Sequence, residues 1–267
     1  MKENELKITL LVSTYNWKEA LKCSLMSAFR QTLLPMEIVI ADDGSDEQTR
    51  NLIEEMRQIS PVPLVHVWHE DKGFRKCEIS NKAIAKSQGD YIVQIDGDVI
   101  LERHFIEDHA ALAEKGYFVC GSRVHLDSRT SNLILSGKIR IPRIFHLPIG
   151  YFLNSLREAH LRNFFAKRYG RKLDHMRGCN MAFWKDNFIQ VNGYNEDLTQ
   201  WGHEDSELVH RLHFLGVQKK YLKMGGVVYH LHHQLASRSN EQQHWDAIDD
   251  VKLNRICWTK NGINKYL

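Results

Sequence analysis

Asp96 and Asp98 stand one residue apart at the end of the apolar run Tyr91-Ile-Val-Gln-Ile95, a spacing that could hold a cation. An alternating apolar run reads as a buried strand. Carboxylates cannot stay ionised inside a core without partners, so the pair belongs at the strand's end, facing a cleft. Two hard oxygen donors that leave room for water and phosphate oxygens suit Mn²⁺ or Mg²⁺. The natural occupant is a metal diphosphate. Asp-Gly-Asp is also good turn chemistry, so the pair gains meaning only from its surroundings.

Those surroundings are polar in a useful way. Thr14, Tyr15 and Asn16 offer a hydroxyl, an aromatic face and an amide, groups that could grip a nucleoside, and Asp42 could accept from a base N–H or a ribose hydroxyl. Neither of the glycine-rich phosphate-loop patterns occurs. Diphosphate charge would fall to a metal and to the basic run Lys72-Gly-Phe-Arg75-Lys76, with Arg75 the chosen cation. The plainer alternatives are that Asp43-Gly-Ser-Asp46 forms only a turn and helix cap, and that Arg75 is a solvated charge.

The elements that must position these groups alternate. Lys7–Ser13, Glu37–Ala41, Val62–His69 and the strand carrying Asp96 read as strands; Trp17–Gln31, Glu47–Ile59 and Glu78–Ser87 read as helices, the second capped by Asp46 or Ser45. The pattern βαβαβαβ predicts an α/β fold, a Rossmann-like, mainly parallel sheet flanked by helices. Ligands then bind beyond the carboxyl ends of the strands, where Thr14, Asp42 and Asp96 converge.

Composition sets limits. A chain of 267 residues, 43% hydrophobic and 26% charged, is an ordinary globular protein of one large or two small domains. Its 36 Lys and Arg against 33 Asp and Glu give too small an excess to argue for nucleic acid. The five scattered cysteines lack a C-x-x-C pair, which fits reduced thiols in a cytoplasmic protein and excludes a thiolate zinc site. The N-terminus reads as a first strand, not a signal peptide. No stretch reaches the length of a membrane span, so any membrane contact is peripheral, at the inner membrane. Its candidate is 157–177, where seven Lys and Arg face only Glu158 and Asp174; a solvated helical insertion packed on the core is the equal alternative.

Downstream, Trp201 beside Gly202 could present a platform to a sugar ring. Glu204 and Asp205 open a helix, Asp205–Leu215, where acids ordinarily serve the helix dipole. In Tyr229-His230-Leu-His232-His233, after a strand at Gly226–Tyr229, a neutral imidazole could join two aspartates on a metal, a three-histidine zinc site being the sharper alternative. Beyond Arg238, Trp245, Ile248, Val251 and Ile256 suggest a closing amphipathic helix.

Together these segments carry a resemblance. Val12-Ser-Thr-Tyr-Asn16, Ile38-Val-Ile-Ala-Asp42-Asp43-Gly-Ser45, Asn81 followed by Gly89-Asp90-Tyr91, and Ile95-Asp-Gly-Asp98 resemble the nucleotide-sugar-binding half of family 2 glycosyltransferases of the GT-A fold. Arg177-Gly178-Cys-Asn180-Met181-Ala-Phe183, Val191-Asn-Gly193-Tyr194-Asn195-Glu196 and Trp201-Gly202-His-Glu204-Asp205 are similar to the acceptor half of β-1,4-galactosyltransferases and of bacterial chondroitin polymerase. The resemblance implies an inverting, metal-dependent transfer of a hexose or N-acetylhexosamine from a UDP-sugar to a glycan, a lipid-linked or a polysaccharide acceptor. It implies Asp205 as general base, Glu204 as ligand of the acceptor hydroxyl, and Trp201, Gly202 and Asn180 as acceptor contacts. Thr14, Tyr15, Asn16, Asp42, Arg75, Asn81 and Asp96 would contact the donor; Asp98, Asp96 and His230, with His232 in reserve, would bind the metal. His203 stands where the pattern often has a small residue. The implied layout is a donor half at 1–124, a basic and aromatic insertion at 125–176, an acceptor half at 177–236 and a helical close at 237–267. A metal-dependent phosphatase or nucleotidyltransferase and a non-catalytic sugar-binding module are the competing classes.

Overall fold

Alternating strands and helices build the first half as the patterning predicts. The computed structural model describes residues 6–142, 146, 147, 149–170, 172, 173, 176–200, 202–234 and 241–267. In it β1 (Ile8–Thr14), α1 (Lys18–Ala28), β2 (Glu37–Asp42), α2 (Glu47–Ile59), β3 (Leu64–Trp68), α3 (Lys76–Lys86) and β4 (Tyr91–Asp96) follow in order. β1 lies between β2 and β4, all parallel, and β3 adds to β2. β1 and β2 are buried along their whole length, as apolar runs covered on both faces by crossover helices must be. Asp46 caps α2, its carboxylate accepting the Thr49 N–H at 3.0 Å. Gly44, at φ +96°, turns the chain out of β2 so close to Asp71 that a side chain there would strike its backbone.

The rest of the chain builds outward from β4. It runs β5 (Val99–Leu101), α4 (Phe105–Leu112), β6 (Tyr117–Gly121), β7 (Val124–His125), α5 (Ser128–Leu135), α6 (Ala159–Tyr169), β8 (Met181–Trp184), α7 (Lys185–Gln190), α8 (Glu204–Phe214), β9 (Gln218–Leu222), β10 (Val228–His230) and α9 (Glu241–Asn254). The main sheet has the order β3-β2-β1-β4-β8-β6-β9, with β8 antiparallel to both neighbours. A second sheet, β5-β10-β7, sets His230 opposite Val99 and beside His125. That pairing carries the histidine segment to the far side of the aspartate pair.

The basic insertion is tied to the core by charge. Arg157 and Arg162 both reach the fully buried Asp108 of α4, Arg157 Nε lying 3.1 Å from each carboxylate oxygen. Lys167 pairs with Glu114. Two of the seven cations expected to form a patch, Arg157 and Arg162, are therefore spent inward, while the Lys167 pair lies at the surface. The closing helix is α9, with Ile248 and Val251 buried, and it lies against α8. The five cysteines are free, and no helix among the described residues is long and apolar enough to cross a membrane.

α8 is fixed by a wholly buried ion pair. Arg211, 0% exposed, donates from Nε and Nη2 to Glu207 at 2.8 and 2.6 Å and from Nη1 to the Val191 carbonyl at 2.6 Å. Removing one partner strands a charge in low dielectric, whereas replacing both leaves none. Arg211→Met is therefore expected to lower stability by about 3–5 kcal/mol in urea unfolding, and Glu207→Leu added to it should restore most of the loss.

Candidate active site

The cleft opens where the carboxyl ends of β1, β2 and β4 meet β10, and holds about 530 Å³. At one end stand Asp98, His230 and His233, whose donor atoms lie within 4.8 Å of one another. His230 Nδ1 donates to the Leu231 carbonyl at 3.0 Å and His233 Nδ1 to that of Gln234 at 2.7 Å. Both rings thus turn Nε2 toward Asp98 Oδ2, at 3.6 and 3.2 Å. A lone pair facing a carboxylate is repulsive unless a proton or a cation lies between. The hydrogen bond to Asp98 raises the pKa of His233, while burial lowers that of His230. Asp98 Oδ1 is buried with no hydrogen-bond partner. An orphaned carboxylate oxygen beside two imidazoles of fixed tautomer is the donor set of a divalent cation.

Beside His230 stands His233 and not the reserve, His232, which borders the cleft but is exposed and gives its backbone N–H to Ser131. The three-histidine alternative in this segment does not form among the described residues, because His230 and His233 meet Asp98 and His232 stays out of the group. Asp96 is turned away from the histidines, its Oδ1 taking Ser13 Oγ at 2.9 Å and Lys76 Nζ at 2.8 Å.

Near the ends of β1 and β2, Thr14 and Tyr15 line the cleft, Tyr15 held by its hydroxyl to Asp71 at 3.0 Å. Asn16 does not line it. Its N–H and Oδ1 bond Ser45 Oγ and the Asp46 N–H, clamping the first two strand-end loops together. Asp42 is wholly buried, with its oxygens on the Ser45 N–H and His66 Nε2, each at 2.8 Å; the neighbouring Asp43 is the one that borders the cleft. Arg75 also corrects expectation. Its guanidinium turns to Glu78 and the Glu70 carbonyl, leaving Lys76 and Arg123 as the cations that face the cleft.

Behind Lys76 lies the acidic end. Lys76 Nζ sits 3.6 Å from Glu204 Oε1 as well as 2.8 Å from Asp96. Burial disfavours its charge, yet Asp96, Glu204 and Asp205 outweigh that and raise its pKa. Asp205 rests against Gly178, where any Cβ would strike its carboxylate at 2.1 Å, and its Oδ1 lies 3.0 Å from the Tyr194 hydroxyl. That hydroxyl is also 3.0 Å from Gln94 Oε1, and Gln94 Nε2, 3.1 Å from the Gly178 carbonyl, fixes which amide atom faces it. Tyr194 has one hydrogen for two acceptors, so the pair is satisfied only if Asp205 itself carries a proton. Burial, and then the nearby Glu204 charge, push the Asp205 pKa up to about 7.

Asn81 and Asn180 do not reach the cleft. Asn81 is buried between α3 and the Tyr194 loop, bonded to the Tyr194 N–H and carbonyl and to Glu196. Asn180 is spent on the Ser122 and Gly226 carbonyls and His109. Trp201 lies outside the described residues, and Gly202 adopts φ +140° just before α8. Among the residues that sequence reading missed, Gln94 carried a signal: it is polar two places before Asp96 in an apolar strand, hence on the same face. Lys76 sat unchosen in the basic run beside Arg75.

Residues 9–188 match the model of glycosyl transferase family 2, and residues 159–234 that of the N-terminal domain of galactosyltransferase. The chain is 23% identical over 248 residues to a chondroitin synthase of Pasteurella multocida strain Pm70, covering 84% of this chain and 24% of that relative. It therefore spans about a quarter of that relative's length. Among solved structures, the mannosyltransferase PcManGT of Pyrobaculum calidifontis, in complex with GDP-Man and Mn²⁺, superposes with a TM-score of 0.62 at 18% identity, over 94% of this chain and 65% of that one. GalNAc-T7 with UDP, GalNAc and Mn²⁺ gives 0.67 at 14% identity, over 94% and 48%. The fold is the GT-A fold.

The raised Asp205 has a thermodynamic signature. The folded chain holds this proton more tightly than the unfolded one, so its stabilising effect is full below the ordinary value of 3.8 and is lost as pH rises through about 7. Wild type should therefore lose stability relative to Asp205→Asn across that window. Urea unfolding of both proteins at a series of pH values measures it, and a constant difference would exclude the shift.

Proposed function

The chain belongs to glycosyl transferase family 2, and from that premise we propose that it is an inverting, Mn²⁺-dependent enzyme moving a hexose or N-acetylhexosamine from a UDP-sugar to a glycan acceptor. One observation carries the reading: a metal-competent set, Asp98, His230 and His233, shares a cleft with Lys76, behind which stands a carboxylic acid whose pKa lies near neutrality. Tyr15 and Thr14 receive the nucleoside. Asp98, His230 and His233 hold the cation, which when bound offsets the charge of the departing diphosphate. Lys76 and Arg123 supply further positive charge from the protein.

Asp205 takes the proton of the acceptor hydroxyl, oriented by Glu204, as that oxygen attacks the anomeric carbon from the side opposite the diphosphate. One displacement inverts the centre and requires no covalent intermediate. Tyr194 and Gln94 hold Asp205 in place, and Asn81 holds Tyr194. The likeness to a chondroitin synthase supports a polysaccharide acceptor, the structure with UDP, GalNAc and Mn²⁺ supports the donor, and both Mn²⁺-bound structures support the metal.

Two measurements test this. Thermal shift with UDP should show a stabilisation that requires Mn²⁺; Asp98→Ala should abolish it, His233→Ala should weaken it, and His232→Ala should leave it. Damage from His232→Ala equal to that from His233→Ala would sink the assignment. Asp205→Asn should lower transfer by about two to four orders of magnitude with UDP affinity kept. In wild type, kcat/KM should rise with pH through about 7, where Asp205 loses its proton. Near-normal transfer by the Asn protein would make Glu204 the base instead.

A further inference from the structure

Large apolar side chains face solvent along the segment 152–169. Phe152 (39% exposed), Leu153 (60%), Leu161 (41%), Phe164 (62%) and Tyr169 (47%) lie within one short stretch of chain. Scattered exposed apolar residues are ordinary, whereas a contiguous group marks a surface that meets something. In α6 the buried positions are Arg162 and Ala166, and Leu161, Phe164 and Arg168, three and four residues apart, share the outward stripe. Cations border it. Lys167 and Arg168 occupy the last turn of α6, Lys172 follows exposed, and Lys223 lies 5.3 Å from the Tyr169 ring. The neighbouring acids are engaged: Glu114 takes Lys167 and Lys220, and Glu158 caps α6. The surface also adjoins the site, because Tyr151, next to Phe152, packs on His125 at 5.6 Å between ring centroids, and His125 lines the cleft.

We propose that the turn at Phe152 and Leu153 and the outward stripe of α6 dock on an anionic lipid bilayer, and that the acceptor entering the adjacent cleft is carried on a lipid. The second clause rests on the glycosyl-transfer reading; the first does not. Apolar side chains would enter the acyl boundary while the Lys and Arg heads stay among anionic headgroups. The full chain is sedimented with phosphatidylcholine vesicles with and without phosphatidylglycerol, at low and high salt. Wild type should pellet with the anionic vesicles and be released by salt. Leu153→Asp with Phe164→Asp should lower partitioning about tenfold or more per side chain. Arg168→Glu with Lys172→Glu should erase the preference for anionic lipid. Melting temperatures near wild type would show both double variants folded. Wild type that stays in solution, or partitioning untouched by both double variants, overturns the surface; so does retention on heparin without vesicle binding, which would assign it to an anionic glycan. With a sugar acceptor anchored in vesicles, the apolar variant should transfer more slowly while its rate on the same sugar in solution is kept, and equal rates on both overturn the lipid-linked acceptor. Because vesicle binding needs no turnover, failure of the catalytic reading would leave it standing.

Discussion

A single ammonium group sets the charge balance of the cleft. Lys76 projects from the first turn of α3 between Asp96, at the end of β4, and Glu204, at the start of α8, with Asp205 close behind. Opposite unit charges about 4 Å apart attract by about 4 kcal/mol at the effective dielectric of a partly shielded site. One lysine therefore supports two carboxylates there and cannot support a third. Asp96 keeps a lowered pKa, its burial outweighed by Lys76, and Asp205 is the member left to hold a proton. Burial first, and then this shortage of positive charge, leave a carboxyl that is half-protonated near neutrality.

The shortage is useful only if Asp205 cannot move. Gly178 brings the backbone against its carboxylate, Tyr194 bonds it from the side and is itself bonded by Gln94, and Asn81 fixes the Tyr194 loop by three hydrogen bonds. Arg211, its charge met by Glu207 of the same helix, ties α8 to the Val191 carbonyl. Much of the chemistry-bearing sequence is thus employed one step away from substrate. Motif residues in the chain divide into those that touch the cleft and those that hold what touches it.

This division explains what the sequence could and could not tell. Alternation of apolar runs and cap residues was sufficient for β1 to β4 and their helices, because period and capping are local properties. The antiparallel insertion of β8 between β4 and β6 was not legible, since it depends on pairing between segments far apart in the chain. Asp98 stands out by type and spacing, whereas His230 and Asp205 are singled out only by the family resemblance. Arg75 and Lys76 are indistinguishable by residue type, although one residue of phase separates cleft from surface, and composition carries no phase. His233 was passed over for His232 for a similar reason: after β10 the chain leaves strand geometry, so alternation no longer tells which imidazole returns to Asp98. Asn81, Asn180 and Asp42 have the chemistry of ligand-binding groups but are buried, and burial at single polar positions is decided by tertiary neighbours.

The two ends of the cleft ask for opposite things. At Asp98, two imidazole nitrogens of fixed tautomer confront a carboxylate and call for a cation; at Asp205, carboxylates already exceed the positive charge and resist an anion. Among the described residues, a bare diphosphate would meet Asp96 and Glu204 with Lys76 and Arg123 to receive it, and a bare divalent cation would gain a single carboxylate and two imidazole rings. On the proposed reading, metal and diphosphate together are close to neutral and satisfy both ends at once, so each should bind more tightly in the presence of the other than alone. Lys76 then lies within reach of the arriving phosphates, and any share of its charge that they take is withdrawn from Glu204 and Asp205. Withdrawing it raises the affinity of Asp205 for a proton. The acid that must accept the acceptor's proton thereby becomes a stronger base when the donor is in place, through the one lysine that touches both halves of the site.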